Sequence, residues 1–111
     1  MDNILSKVEE LKQLIIDSKE YKNYQASSNK LDNNNEIKEI ISEIKLRQKE
    51  IINKEAKGID KEKEEFEVQN LFRKLSLFDE YNEYIENAKI LNKIISDIQK
   101  RFEEYFNQFI I

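Results

Sequence analysis

NNNEIKEIISEIKLRQKEIINKEAKG, residues 33–58, is the stretch that decides the fold. Ile37, Ile40, Ile41 and Ile44 recur at spacings of three and four, the helical period, and Ile51 and Ile52 continue the stripe. The asparagines in front of it compete for nearby backbone groups and so favour turns and caps over helix interiors. Asn33 followed three positions later by Glu36 has the spacing of a capping box, with Asn in place of the usual Ser or Thr. Gly58 marks the far end, because glycine tolerates the left-handed conformation just past a helix C-terminus. The stretch therefore predicts one long helix between a polar turn and a glycine stop.

The same reasoning extends to both sides. Toward the N-terminus, Ile4, Leu5, Val8, Leu11, Leu14 and Ile15 lie on one face of a helix predicted from about Asp2 to Ile16. Asp17-Ser18 reads as a stop and a cap, with Ser18 able to accept from the free N–H groups of a second helix and Glu20 in its favourable first turn. That second helix carries Tyr21, Tyr24 and Leu31. Toward the C-terminus, Asp60 can cap a fourth helix containing Phe66, Leu71, Phe72 and Leu75. Ser76 with Asp79 is a further capping-type pair, which opens a new helix or marks a bend. From there the pattern runs nearly unbroken through Phe78, Tyr81, Tyr84, Ile85, Leu91, Ile94, Ile95 and Ile98. A helix of about 30 residues is roughly 45 Å long. That exceeds the width of a compact domain of this length, whose radius of gyration is roughly 13 Å. Part of this last helix is expected to project or to pair with another chain.

Composition agrees. Among 111 residues there is no proline and one glycine, so the residues that interrupt helices are almost absent. The expectation is an all-α chain: one domain over residues 1–111, a small bundle of four to five helices. Two of these are long, and they are expected to pair as an antiparallel hairpin. The 19 basic and 23 acidic side chains are interleaved, for a net charge of −4, which suits solubility and argues against a dedicated phosphate-binding face. Without cysteine the chain supplies no disulfide and no thiolate ligand. Without histidine a zinc site and the usual neutral-pH general base are also missing. No signal peptide and no membrane-length apolar run is legible, so a cytoplasmic location is expected.

The two halves look alike. Tyr21 and Tyr24 match Phe78 and Tyr81, and Ile37, Ile40, Ile41 and Ile44 match Leu91, Ile94, Ile95 and Ile98. The offset changes by three residues where the Asp32–Asn35 turn sits, as if the second copy had lost the turn and fused two helices. Ile-rich helical segments also match by chance, and the comparison leaves both origins open. At these residues the chain resembles the YlbF/YmcA family of low-GC Gram-positive bacteria. The likeness lies in a short amphipathic first helix, then Ser18-Lys-Glu-Tyr21-Lys-Asn-Tyr24, a polar turn and a long helix. A second aromatic block, Phe78-Asp-Glu-Tyr81, then opens the long C-terminal helix. The resemblance implies a small, self-associating helical protein whose partners include RNase Y or other family members, with a role in RNase Y-dependent mRNA processing and, through it, in competence and biofilm regulation. Two departures stand out: Ser76-Leu77 occupy the place of a proline common before the second aromatic block, and the cysteines that some members contribute to an iron–sulfur assembly are absent.

Candidate chemistry is sparse. Carboxylate pairs such as Glu39 with Glu43, or Glu64 with Glu67, share a helix face by spacing alone, and the ordinary reading is a solvated face with charge pairs. Ser42 and Ser96 have no histidine to activate them. No catalytic, cofactor-binding or metal-ligating residue is assigned, and no enzyme activity is expected. Lys45, Arg47, Lys49 and Lys54 are interrupted by Glu50 and Glu55 and have no aromatic platform among them, so no direct nucleic-acid contact is expected. Tyr21, Tyr24, Phe66, Phe72, Phe78, Tyr81 and Tyr84 read most simply as core. The run Phe102, Tyr105, Phe106, Phe109, Ile110 and Ile111 is harder to bury, since chain ends are usually polar. It is the candidate interaction surface, with a second copy of the chain as a natural occupant. Glu103 and Glu104 within it oppose an anionic membrane. The expected function is a non-enzymatic adaptor, and the competing reading is a purely structural coiled-coil or chaperone-like subunit.

Overall fold

The computed structural model describes residues 2–110, and among them every regular element is helical. Five helices follow in order: α1 (Asp2–Asp17), α2 (Lys19–Asp32), α3 (Asn35–Lys57), α4 (Glu62–Leu75) and α5 (Asp79–Phe109). The chain divides into two compact units, one spanning Ser27–Tyr84 and the other formed by residues up to 26 together with those from 85 onward.

Capping side chains set the breaks. Ser18 accepts from the Tyr21 N–H at 3.1 Å and donates to the Ile15 carbonyl at 2.6 Å, closing α1 and opening α2 with one hydroxyl. At the head of α3 the cap is Asn34, not the expected Asn33: its side-chain oxygen accepts from the Ile37 N–H at 3.1 Å. The shift by one residue follows from the last turn of α2, whose carbonyls take the N–H groups of Asn33 and Asn34. Gly58 ends α3 with φ 68°, and Ile59 N–H returns to the Lys54 carbonyl at 2.9 Å. Asp60 accepts from the Glu62 N–H at 3.1 Å in the first turn of α4. Ser76 closes α4 rather than opening α5, since its hydroxyl donates to the Arg73 carbonyl at 2.6 Å.

The unit Ser27–Tyr84 holds the larger core. Leu31, Ile37, Ile44, Leu71 and Leu75 form a buried cluster, with Ile40, Ile41, Val68, Phe78, Tyr81 and Tyr84 packed against it. Ile37 has no exposed surface at all. The antiparallel hairpin is α3 with α4, not α3 with the other long helix, α5. Two aromatic assignments change accordingly. Phe66 is 59% exposed and Phe72 is also exposed, because the face of α4 turned to α3 is Glu64, Val68, Leu71 and Leu75. In α3 the stripe keeps Ile51 half-buried but leaves Ile52 in solvent.

Toward Gly58 the seam changes from apolar to ionic. Arg47 Nε lies 2.9 Å from Glu67 across it, with Glu50 and Glu43 alongside at 3.3 and 3.8 Å. Lys54 is hydrogen-bonded to the buried Glu64, and Lys61 bridges Glu55 and Glu65. In the other unit burial is thinner. Leu91 is buried, Leu11, Ile15, Ile16, Tyr21, Tyr24, Ile94 and Ile98 are half-buried, and Asn87 Nδ2 donates to the Asn23 carbonyl at 3.3 Å.

Truncating the most buried side chain, Ile37→Ala, should destabilise the protein by about 2–5 kcal/mol through lost burial and the cavity left behind. Urea denaturation followed by circular dichroism measures it, and a loss below about 1 kcal/mol would mean that the core is not centred there. A second expectation concerns pH. The bond from Lys54 holds the Glu64 carboxyl below the usual carboxylate range, despite burial, which acts the other way. A lowered folded-state value stabilises the fold above the unfolded carboxylate pKa, about 4.3, and that contribution is lost as pH falls through the folded value. The stability gap between the native chain and Glu64→Gln should be present at pH 7 and close progressively below about pH 4. A gap that stays constant into acid would remove Glu64 from the account.

Candidate interaction surface

Of the six candidate surface residues, five are described, and Ile111 lies outside the described residues. Phe102, Tyr105, Phe106, Phe109 and Ile110 all stand exposed, with Phe106 at 54% and Phe109 at 77%. Helical geometry explains their alignment. Positions 102, 105, 106 and 109 follow the three-and-four spacing that puts side chains on one stripe. Phe102 and Phe106 prove the point, since their rings stack with centroids 6.0 Å apart and an interplanar angle of 22°. The helix persists through this region and ends only where the Ile110 N–H bonds the Phe106 carbonyl at 3.0 Å. A regular helix that keeps Phe106 and Phe109 in water to its last turn carries an apolar stripe that the described residues leave largely uncovered.

The structure adds a component that sequence reasoning assigned only to helix periodicity. No residue of α1 is buried. Ile4, Leu5, Val8 and Leu14 are all more than half exposed, although they share an amphipathic face. Ile4, Val8 and Leu11 line an apolar groove together with Phe102. The surface is thus built from two helices, α1 and the end of α5, within one compact unit. The apolar stripe of α1, alike in kind to the C-terminal one, was the signal available.

The side chains of this surface are of a kind suited to contact with another apolar surface. Tyr105 supplies a hydroxyl, Glu103 and Glu104 interrupt the α5 stripe with charge, and Asn3 and Lys7 stand at the groove beside its apolar residues. Among the described residues no group of three or more carboxylates could hold a metal ion, and no helix is long and apolar enough to cross a membrane. The carboxylate pairs of the sequence fall elsewhere: Glu64 is committed to Lys54 and Glu67 to Arg47, while Glu39 stays exposed.

Phe106→Glu with Phe109→Glu should leave the helical circular-dichroism signal mostly in place, because both rings are over half exposed and exposed substitutions cost little. Collapse of that signal would show that these rings belong to a core.

Known proteins resemble this chain over nearly its full length. The family model described as control of competence regulator ComK, YlbF/YmcA, matches residues 4–105, and the chain belongs to that family. A UPF0342 protein of Caldicellulosiruptor bescii is 31% identical over 101 residues, covering 90% of this chain and 85% of the relative. A UPF0342 protein of Caldicellulosiruptor saccharolyticus is 27% identical over 105 residues, covering 94% and 88%. Among solved structures, Bacillus subtilis RicA, crystallised in complex with RicF, shares the fold with a TM-score of 0.78 at 16% identity. That match covers 98% of this chain and 97% of the other.

Proposed function

We propose that this YlbF/YmcA-family protein is a non-catalytic adaptor that works as a single cytoplasmic domain, by assembling with itself and with partner proteins. The observation that carries the reading is the two-helix apolar surface of α1 and the end of α5, which the described residues leave exposed. Contiguous exposed apolar surface on a small protein marks an interaction site more often than it marks anything else. A second copy is a fitting occupant, since the same surface from two chains closes an apolar layer under two-fold symmetry. That RicA, which shares the fold, was crystallised with a protein partner supports assembly as the mode of action.

The finer part of the proposal follows the family. The partners are RNase Y or other YlbF/YmcA proteins, and the outcome is a change in RNase Y-dependent RNA processing. The chain takes part through protein contacts and leaves RNA to its partners, because its basic side chains at the α3–α4 seam are committed to carboxylates. Any iron–sulfur cluster in such an assembly would draw its thiolates from other chains, as this one has no cysteine.

Two measurements test the reading. In solution the native chain should exceed the monomer mass of 13.4 kDa by light scattering, and the Phe106→Glu, Phe109→Glu variant should drop to a smaller species. Equal masses for both would take the C-terminal stripe out of the interface. Affinity capture of the tagged protein from its host, read by mass spectrometry, should recover RNase Y or family members with or without nuclease. Recovery that vanishes with nuclease would make RNA the tether, and recovery of the bait alone would end the regulatory part of the proposal.

A further inference from the structure

A second surface, in the unit Ser27–Tyr84, is chemically unlike the first. Where α4 gives way to α5, the chain turns through Ser76 and Leu77, and Leu77 is left 84% exposed. This is not a frayed loop. Leu77 N–H bonds the Lys74 carbonyl at 3.2 Å, Phe78 N–H bonds Leu75 at 3.0 Å, and Asn82 Nδ2 holds the Ser76 carbonyl at 2.8 Å. A leucine presented to water on a turn tied by three hydrogen bonds has its backbone already fixed, so binding there need order only the side chain.

Leu77 and Phe78 line a groove together with Ile40 of α3 and the carboxylates Glu36, Glu39 and Glu43. Glu36, Glu39 and Glu43 share one stripe of α3 with Ile40, at the spacing that aligns helix side chains. Glu36 and Glu39 make no ion pair with any described residue, and Glu43 reaches only Arg47, at 3.8 Å. Lys74 is the one cation lining the groove among the described residues, and with Glu43 beside Arg47 it is Glu36 and Glu39 that stand unpaired there.

From this combination we infer that the groove docks a short amphipathic helix of a partner protein, one that sets lysine or arginine beside a leucine-type side chain. Leu77, Phe78 and Ile40 take the apolar side chain, and the free glutamates face its cations. Complementary charge steers the encounter and fixes the register. Phosphate-rich ligands are repelled by the same glutamates, which removes nucleic acid and anionic lipid as occupants. The inference rests on the adaptor reading only in taking a protein as the ligand, and it gives that adaptor a client site made of different residues from its assembly surface.

The probe is a synthetic leucine–lysine amphipathic peptide of about 14 residues, roughly four helical turns, with a leucine–glutamate peptide as its counterpart. It is titrated into the full-length 15N-labelled chain. The lysine peptide should shift amides in the first half of α3 and at residues 76–78, and the glutamate peptide should not. Leu77→Ser, and Glu39→Lys with Glu43→Lys, should each weaken binding about tenfold. Glu9→Lys with Glu62→Lys, the same charge change elsewhere, should leave it nearly unchanged. Equal weakening by that control, equal binding of the glutamate peptide, or shifts mapping outside the groove would overturn the inference. So would concentration-dependent shifts of the groove amides without peptide, which would put a second copy there. Phe106→Glu with Phe109→Glu should not alter peptide binding, so failure of self-assembly and failure of this groove are read separately.

Discussion

The enclosure of Ile37 among Leu31, Ile44, Leu71 and Leu75 is the contact on which the rest of the molecule depends. It is placed at the start of α3, directly after the Asn34 cap, so the residue that ends the turn and the residue that anchors the core are three positions apart. Asn34 also reaches Glu80 of α5 through its Nδ2, at 3.2 Å, and Lys30 of α2 lies 3.6 Å from Glu83. One turn therefore sets the direction of α3 and ties the beginning of α5 to the same place. With so few fully buried side chains among the described residues, little else there could compensate for a loss here.

Away from that core the α3–α4 seam is held by charge, and this distributes two tasks along one interface. Isoleucine and leucine supply most of the stability at the base, but apolar side chains tolerate a slip of one helical turn better than charges do. Arg47 opposite Glu67 and Lys54 opposite the buried Glu64 match in only one register, so a slip of one turn would separate both pairs. Their contribution to specificity can exceed their contribution to stability, because desolvating a pair offsets much of its attraction.

Much of this was legible beforehand. The absence of proline and the single glycine made helices nearly unavoidable. Ser18 and Gly58 marked two ends where the structure has them, and α5 runs unbroken as the pattern required. The errors share one cause. Ring size alone places Phe66 and Phe72 in the core, yet a helix face is chosen by its whole periodic set. Glu64, Val68, Leu71 and Leu75 form that set, headed by a carboxylate whose partner is ten residues earlier in the chain. A local pattern cannot reveal that Lys54 makes Glu64 acceptable inside. Pairing α3 with α5 failed for a similar reason, since length suggests partners but the short loop after Gly58 brings α4 back first. The C-terminal stripe was visible as an anomaly of composition, whereas the matching face of α1 was seen only as a helix signature and not as a surface.

Gly58 shows how differently a position can constrain size and handedness. Its φ of 68° is unfavourable for any L-residue with a Cβ, yet a Cβ built there would meet nothing within 4 Å. The space is open and only the torsion is restrictive. The site therefore discriminates by chirality rather than by volume: D-alanine would sit in it without strain and would restrict the unfolded chain, whereas L-alanine, of identical volume, would be strained. The only achiral residue in the chain stands at the point where α3 must reverse into α4.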